Sequence, residues 1–449
     1  MPNHDTTLEQ IEYRLVLLRA GSRTIWALHE NGAFRLPRIA IAHWARPAEQ
    51  IQQAVEAGWH IRAVVLDLLP SESGSTPCAV VEILSPEPYD GLFTASIHPD
   101  LEMELAREER GEVETILAGE TTLRGPFSCL GWIDEALEWM RKVVGPDARF
   151  TGEVRQYNAT SNFTLAHFPT QDRAGFWLKA TGEPNLHEFP ITKLLAELCP
   201  EFLPPRIAER SDWNAWLMED AGCPPEAWSL PLLELAVASM AELQKRTIAR
   251  TDDFLAAGAF DQHVCRLRAH SSTLVEYLDE AMTRQVSPKA PRIDKCRLQQ
   301  TATMVANASV QMEGLAIPDT IVHHDLNSGN ILFRGARCVF TDWCEAGIGN
   351  PFLTLEHLLH LQPHGEKDWA PRLQEVYKQC WLESLTSSQI DRALELMPIL
   401  AISSYLQWYR LRLSSAQHND PCIAGYIRCL ARHMDRAAQD PRLLEALCR

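Results

Sequence analysis

The run Val322-His323-His324-Asp325-Leu326-Asn327-Ser328-Gly329-Asn330-Ile331-Leu332 sets an Asp and an Asn five positions apart between apolar residues. Val339-Phe340-Thr341-Asp342-Trp343 follows with a second Asp. A carboxylate on a loop can accept the proton of an attacking hydroxyl. An Asn and an Asp close by can hold Mg2+ on the phosphates of a nucleotide. Phosphoryl transfer needs an acceptor-orienting carboxylate and metal ligands that act on one phosphate without competing for one atom. A tight loop between two short strands provides that separation. On this reading Asp325 is the catalytic base, and Asn330 and Asp342 are the metal ligands. His323 suits a bracing role, because the carboxylate beside it is better placed to take the proton.

The stretch resembles the Brenner motif of the aminoglycoside phosphotransferase-like kinases, usually His-Gly-Asp-Leu-His-x-Gly-Asn-Ile-Leu. The resemblance implies an α+β, bilobal protein-kinase-like fold with a mostly helical C-lobe. It also implies transfer of the γ-phosphate of ATP, with Mg2+, to a hydroxyl of a small molecule. His324 stands where the family has Gly and protein kinases have Arg. Asp342-Trp343-Cys344 is close to the family's Asp-Trp-Glu. Gly347-Ile348-Gly349-Asn350-Pro351-Phe352 is similar to its Gly-Asp-Pro, with Asn350 in place of Asp. Thr354 replaces a second Asp, and Glu356 follows two residues on.

Upstream, Phe176-Trp177-Leu178-Lys179-Ala180 reads as a strand carrying a Lys near its end. It resembles the third N-lobe strand, whose Lys contacts the nucleotide phosphates. Glu188, nine residues on, opens a helical pattern and is the candidate partner of that Lys. Trp216-Leu217-Met218-Glu219-Asp220-Ala221-Gly222 resembles the hinge, which makes Met218 and Glu219 candidate nucleotide contacts. Tyr157 to Thr164 is read as the loop over the phosphates. It has no Gly, but contains Ser161-Asn162, a pair common in the family's loop. Bland readings exist for each. Lys179 alone is an ordinary strand Lys, Glu188 suits the first turn of any helix, and Ser161 suits any turn.

The elements that must position these groups occupy residues 141–222 (N-lobe and hinge) and 223–449 (helical C-lobe, with the catalytic loop at 322–343). Helical spacing marks Pro231 to Arg250, Phe260 to Met282, Leu298 to Gly314, Gln389 to Leu413 and Ile423 to Ala437. Tyr405, Trp408 and Tyr409 fall on one of these helices, as core or as substrate wall. Residues 1–140 read as a separate α/β accessory domain. Strands at Tyr13 to Leu18, Thr24 to Leu28, Ile61 to Leu68 and Ala79 to Leu84 surround a helix that starts at Pro47 and ends at Gly58. This order resembles a degenerate Nudix domain. Gln52 and Val55 stand where metal-binding Glu residues would be expected, so the segment is expected to be catalytically silent. If it only caps the acceptor site, a chain starting near Val144 is expected to keep ATP binding and lose acceptor selectivity.

The 449 residues carry a net charge of −17. Residues 1–140 hold 10 Arg, no Lys and 22 Asp plus Glu, so −12 of it lies there. That balance argues against nucleic acid as a partner. No apolar run reaches the roughly 20 residues of a membrane span. The N-terminus lacks signal-peptide regions, and twelve scattered Cys suit reduced thiols; both point to the cytoplasm. A protein-substrate kinase is a weaker alternative, since His-Arg-Asp, Asp-Phe-Gly and Ala-Pro-Glu are absent. A nucleotide-binding pseudokinase or assembly partner is favoured by the Gly-free loop and opposed by the complete Asp, Asn, Asp and Lys set.

Overall fold

The computed structural model describes residues 10–42, 46–69, 76–86, 89, 91–96, 104–119, 125–160, 162–172, 174–362, 368–414, 417–418 and 420–448. The chain forms two compact units, Met1–Phe189 with Pro205–Asp220, and Pro190–Pro204 with Ala221–Arg449.

In the first unit, a mixed sheet follows the order β3-β2-β1-β6-β5, with β4 beside β1 and β7 beside β2. Its strands are β1 (Gln10–Leu18), β2 (Ile25–Glu30), β3 (Ala33–Arg35), β4 (Arg38–Ala42), β5 (Ala63–Leu69), β6 (Cys78–Ile83) and β7 (Phe93–Ala95). β1 and β6 are parallel. β5 and β6 are near-continuous apolar runs because both faces of the sheet are covered. Helix α1 (Pro47–Trp59) lays Ile51 and Val55 against Leu15, Leu17, Val65 and Val81 on one face. Gly58 does not end this helix; it runs one residue further, and His60 caps it in the left-handed region (φ 54°), its N–H donating to Glu56 O at 2.9 Å. After α2 (Arg107–Ala118), helix α3 (Trp132–Val144) covers the other face with Trp132, Ile133, Ala136 and Met140.

The same unit holds a five-stranded antiparallel sheet in the order β11-β12-β10-β9-β8. It comprises β8 (Arg155–Thr160), β9 (Phe163–Phe168), β10 (Phe176–Thr181), β11 (Arg206–Arg210) and β12 (Ala215–Glu219). Strand alternation sends Ala166, Phe168, Phe176, Leu178, Ala180, Ala215 and Leu217 to one face, where they join α3, Val16, Leu18 and Val80 in a single apolar cluster. Residues 1–140 are therefore compact together with the strands of 141–222, not apart from them. The shared cluster is the physical reason: neither sheet buries its apolar face alone.

Glu82 of β6 lies in this interior, 1 % exposed, accepting the Gly131 N–H at 2.7 Å. Burial pushes its carboxyl up to about 7, Asp134 adds to the rise, and the Gly131 N–H opposes it. The folded chain thus holds this proton more strongly than the unfolded one. Its stabilisation is complete below the unfolded value of 4.5 and is lost as pH rises through about 7. We expect the urea midpoint to fall between about pH 4.5 and 8, by an amount on the order of 3 kcal/mol in stability, and Glu82→Gln to flatten that slope. Equal slopes in both proteins would remove Glu82 as the cause.

The second unit is mostly helical. After α4 (Glu188–Leu198), whose first two residues belong to the first unit, come α5 (Leu230–Thr247), α6 (Thr251–Ala256), α7 (Val264–Ala269), α8 (Ser271–Thr283) and α9 (Lys295–Gly314). Beyond the loop at 322–343 lie α10 (Phe352–Leu359), α11 (Ala370–Trp381), α12 (Ser387–Arg412), α13 (Pro421–Ala437) and α14 (Pro441–Cys448). The helix expected from Phe260 begins later. Phe260–Gln262 forms β13 and pairs in parallel with β17 (Gly347–Gly349), which also pairs with β14 (Thr320–Val322). Glycine makes that pairing possible: a Cβ on Gly349 would lie 2.7 Å from Gln262 O. Among the described residues no disulfide links any of the twelve Cys. Among the described residues no helix is long and apolar enough to cross a membrane.

Candidate active site

The residues with phosphoryl-transfer spacing lie at one end of a two-stranded ribbon. β15 (Ile331–Arg334) and β16 (Arg337–Phe340) pair with Ile331 opposite Phe340. That register brings Asn330, just before β15, alongside Thr341 and Asp342, just after β16. The Thr341 N–H donates to Asn330 O at 2.9 Å. Asp342 takes a left-handed backbone (φ 65°), a conformation that Asp tolerates better than most side chains. Asp325 sits on the loop between β14 and β15. Asn327 Nδ2 donates to its Oδ1 at 3.0 Å, and Asn330 Nδ2 donates to its Oδ2 at 3.1 Å and to its backbone O at 2.7 Å. Both carboxylate oxygens are thus held by side-chain amides. Because Asn330 donates through Nδ2, its Oδ1 is the atom suited to a hard cation. With the Asp342 carboxylate it makes an all-oxygen donor pair, which fits Mg2+.

His323 braces the loop. Its Nδ1 accepts the Asp325 N–H at 3.2 Å, so the proton belongs on Nε2, which donates to Thr341 O at 2.9 Å. One ring therefore links the backbone of Asp325 to the residue before Asp342. The His323 N–H in turn donates to Thr354 Oγ1 at 3.1 Å. Thr354 supplies by a hydroxyl an anchor where the family has a carboxylate. Asn350 likewise accepts the Phe352 N–H at 3.1 Å at the start of α10. His324 is wholly enclosed, and neither ring nitrogen has a hydrogen-bond partner among the described residues. It stacks on Tyr405 of α12 (6.1 Å between ring centres, 21°) and meets His357 of α10 edge-on at 5.5 Å. Burial pushes its basicity far down, with His357 and His323 adding to that effect. The ring is thus a neutral packing group that fixes the loop to two helices.

Burial pushes the Asp325 carboxyl above the usual range, and Asp342 adds to the rise. The Asn327 and Asn330 amides and His323 oppose it. An upward shift makes a carboxylate a better proton acceptor. Sequence reasoning missed Glu345, three residues past Asp342. Burial pushes its carboxyl up to about 8, with Asp325 and Asp342 adding and Arg412 opposing. Tyr405, Tyr409 and Tyr426 all lie within electrostatic reach of both Glu345 and Asp325. Tyr409 meets Trp408 at 5.2 Å and Tyr426 at 5.8 Å between ring centres. The aromatic group on α12 therefore packs against His324 of the loop through Tyr405 and, through Tyr405 and Tyr409, lies within electrostatic reach of Asp325. The signal for it was the Tyr405, Trp408, Tyr409 spacing, which puts all three on one helix face.

In the first unit, Lys179 Nζ donates to Glu188 Oε1 at 2.5 Å, and both side chains are buried. Phe163 and Trp216 flank the ammonium at 5.1 and 5.8 Å. By strand alternation Trp177 shares the face of Lys179, opposite the apolar cluster. Trp177 touches Tyr157 and His167, and its indole N–H donates to Asp220 Oδ2 at 3.2 Å. The sequence pattern gave no signal for this aromatic row. Met218 lies opposite Trp177 in β12, and the Glu219 N–H donates to Pro205 O at 2.9 Å. Asn162 lies at the tip of the β8–β9 hairpin, its carbonyl accepting the Gly182 N–H at 2.6 Å. Ser161 lies outside the described residues.

Gln52 is engaged with backbone groups, its Nε2 donating to Ala63 O at 2.9 Å and Val154 O at 2.7 Å. Val55 is buried in the core.

No protein-family model matches the sequence, and no curated protein matches it. Among solved structures, the chain is similar to the macrolide 2'-phosphotransferase of Brachybacterium faecium. The identity is 15 %, over 67 % of this chain and 97 % of that one, with a TM-score of 0.45. It is similar to a choline/ethanolamine kinase family protein from Mesorhizobium loti at 13 % identity, over 70 % and 98 %, with a TM-score of 0.44. It is also similar to an ethanolamine kinase of Plasmodium vivax at 11 % identity, over 76 % and 97 %, with a TM-score of 0.46.

Proposed function

We propose that this chain transfers the γ-phosphate of ATP to a hydroxyl group of a small molecule. One observation carries the reading: Asp325, with both carboxylate oxygens held by side-chain amides, stands on the loop that presents Asn330 and Asp342 at one ribbon end. Asp325 orients the acceptor hydroxyl and takes its proton as the oxygen attacks the γ-phosphorus, whose bond to the bridging oxygen breaks so that ADP leaves. His323 holds the Asp325 backbone during that transfer. Asn330 and Asp342 would hold Mg2+, which would neutralise phosphate charge when bound. Lys179, oriented by Glu188, stabilises the phosphates, and the strand end at Met218 and Glu219 takes the base. Tyr405, Tyr409, Tyr426 and Glu345 form the acceptor wall. Positioning and charge neutralisation supply most of the barrier reduction.

Asp342→Ala tests the metal assignment. Mg-ATP affinity is expected to fall on the order of a hundredfold, as follows from losing several kcal/mol of charge stabilisation, while metal-free ATP binding stays near wild type. Calorimetric titration with and without Mg2+ reads both. Unchanged Mg2+ dependence would move the metal site elsewhere. A second reading, a nucleotide-binding protein without turnover, is favoured by the Gly-free hairpin at 157–164. ATP consumption over a panel of alcohols separates the two.

A further inference from the structure

Two edge strands of the first unit meet through side chains. β5 ends the order of the mixed sheet, and β8 ends the order of the five-stranded sheet. An edge strand leaves backbone N–H and C=O groups without a ladder partner. Here two glutamine amides take the place of the missing strands. Gln52 of α1 donates from Nε2 to Val154 O at 2.7 Å and to Ala63 O at 2.9 Å, and its Oε1 accepts the Gln156 N–H at 3.0 Å. Gln156 of β8, 1 % exposed, donates from Nε2 to Val65 O at 2.8 Å and accepts the Val65 N–H at Oε1 at 2.7 Å. Each amide pairs with a backbone donor and an acceptor, as a neighbouring strand residue would. The registers of both edge strands shift at this place, between Gln156 and Asn158 in β8 and between Val65 and Asp67 in β5. Such bulges re-aim side chains. The next residue, Tyr157, has the Arg46 guanidinium over its ring at 5.2 Å, and Arg46 directly precedes α1.

We propose that the N-terminal α/β layer is a positioning device for the phosphate-binding hairpin, with Gln52 and Gln156 as its positioning residues. This rests on reading 157–164 as the loop over the nucleotide phosphates. A glycine-rich loop acquires its shape by folding over the phosphates. The described residues of this glycine-free hairpin are instead held beforehand, at its base by the two amides and at Asn162 by the Gly182 N–H on its O. Preorganisation of this kind lowers the ordering cost of binding. Gln52 and Gln156 therefore act on nucleotide affinity without touching the nucleotide.

The test uses the full chain with Gln52→Met, which keeps side-chain length and removes three hydrogen bonds. The Kd for Mg-ATP is expected to rise about tenfold, as follows from losing preorganisation. Amide exchange over 155–165 is expected to quicken by a similar factor, while the KM for the acceptor stays within about twofold. A lowered Tm with Kd and local exchange unchanged would overturn the proposal, leaving the glutamines a purely structural role. Should Gln52→Met fail to fold, Gln52→Glu decides. It keeps the acceptor for Gln156 N–H and loses both donors, so a wild-type Kd in that variant overturns the proposal and a raised one supports it. If the wild-type chain itself binds no Mg-ATP, the phosphotransferase reading fails with it; failure of the glutamine variants alone leaves that reading standing.

Discussion

Replacing Asp325 with Asn is expected to lower phosphoryl-transfer turnover by about 10²–10⁴-fold, the usual contribution of a positioned base, while Mg-ATP affinity stays within about twofold. The substitution is nearly isosteric. An Asn side chain can still accept the Asn327 or Asn330 amide through its oxygen, and the backbone bonds to His323 and Asn330 do not involve the side chain. The loop therefore keeps its backbone bonds, while the proton acceptor and one of the two side-chain amide bonds are lost. A base acts in the transition state and not in nucleotide binding, so turnover and affinity must separate. Pre-steady-state turnover beside a calorimetric ATP titration reads both quantities. Turnover within a few-fold of wild type would mean that another group takes the proton. Glu345 is the group to examine then, since its carboxyl lies within electrostatic reach of Asp325.

The loop residues were legible because short-range geometry places them. Asp325, Asn330 and Asp342 are joined by two four-residue strands, and a ribbon that short leaves its ends few arrangements. The pairing of Lys179 with Glu188 followed from their order along a strand and the next helix. What sequence left unread depends on contacts far along the chain. Thr354 accepts the His323 N–H through its hydroxyl, and residue type alone does not say that this would be its donor. His324 looked like a mere substitution for Gly. Its role comes from Tyr405 and His357, brought to it from two distant helices. Phe260-Asp261-Gln262 carries no pattern long enough to distinguish a strand from a first helical turn; only the glycines at 347 and 349 make it a strand. The boundary near residue 140 followed the composition shift. The apolar faces that join across it alternate with polar residues on β9 and β10, and alternation says which face is buried but not against what.

That joined cluster carries the second large expectation: a chain starting at Val144 is expected to lose its cooperative fold in the first unit and its Mg-ATP binding. This reverses what the sequence implies for such a truncation. Removing residues 1–143 takes away Val16, Leu18, Val64, Leu66, Val80, Trp132, Ile133 and Met140, and leaves Phe168, Phe176, Leu178 and Leu217 without cover on their side of the sheet. Exposing four large apolar side chains costs about 1.5–3 kcal/mol each, roughly 6–12 kcal/mol together. Whole domains are stable by only about 5–15 kcal/mol. The amides of Gln52 would go too, leaving Val154 O and Gln156 N–H without those partners. Lys179 is on β10, so the strand that presents it to Glu188 loses its support on the opposite face. Near-UV circular dichroism and a calorimetric Mg-ATP titration on the truncated chain decide the matter. A monomeric truncated chain with native-like dichroism and wild-type affinity would show that the five-stranded sheet stands without the N-terminal layer. The opposite result makes that layer part of the nucleotide site's foundation, even though its own helix α1 holds no catalytic carboxylates at positions 52 and 55.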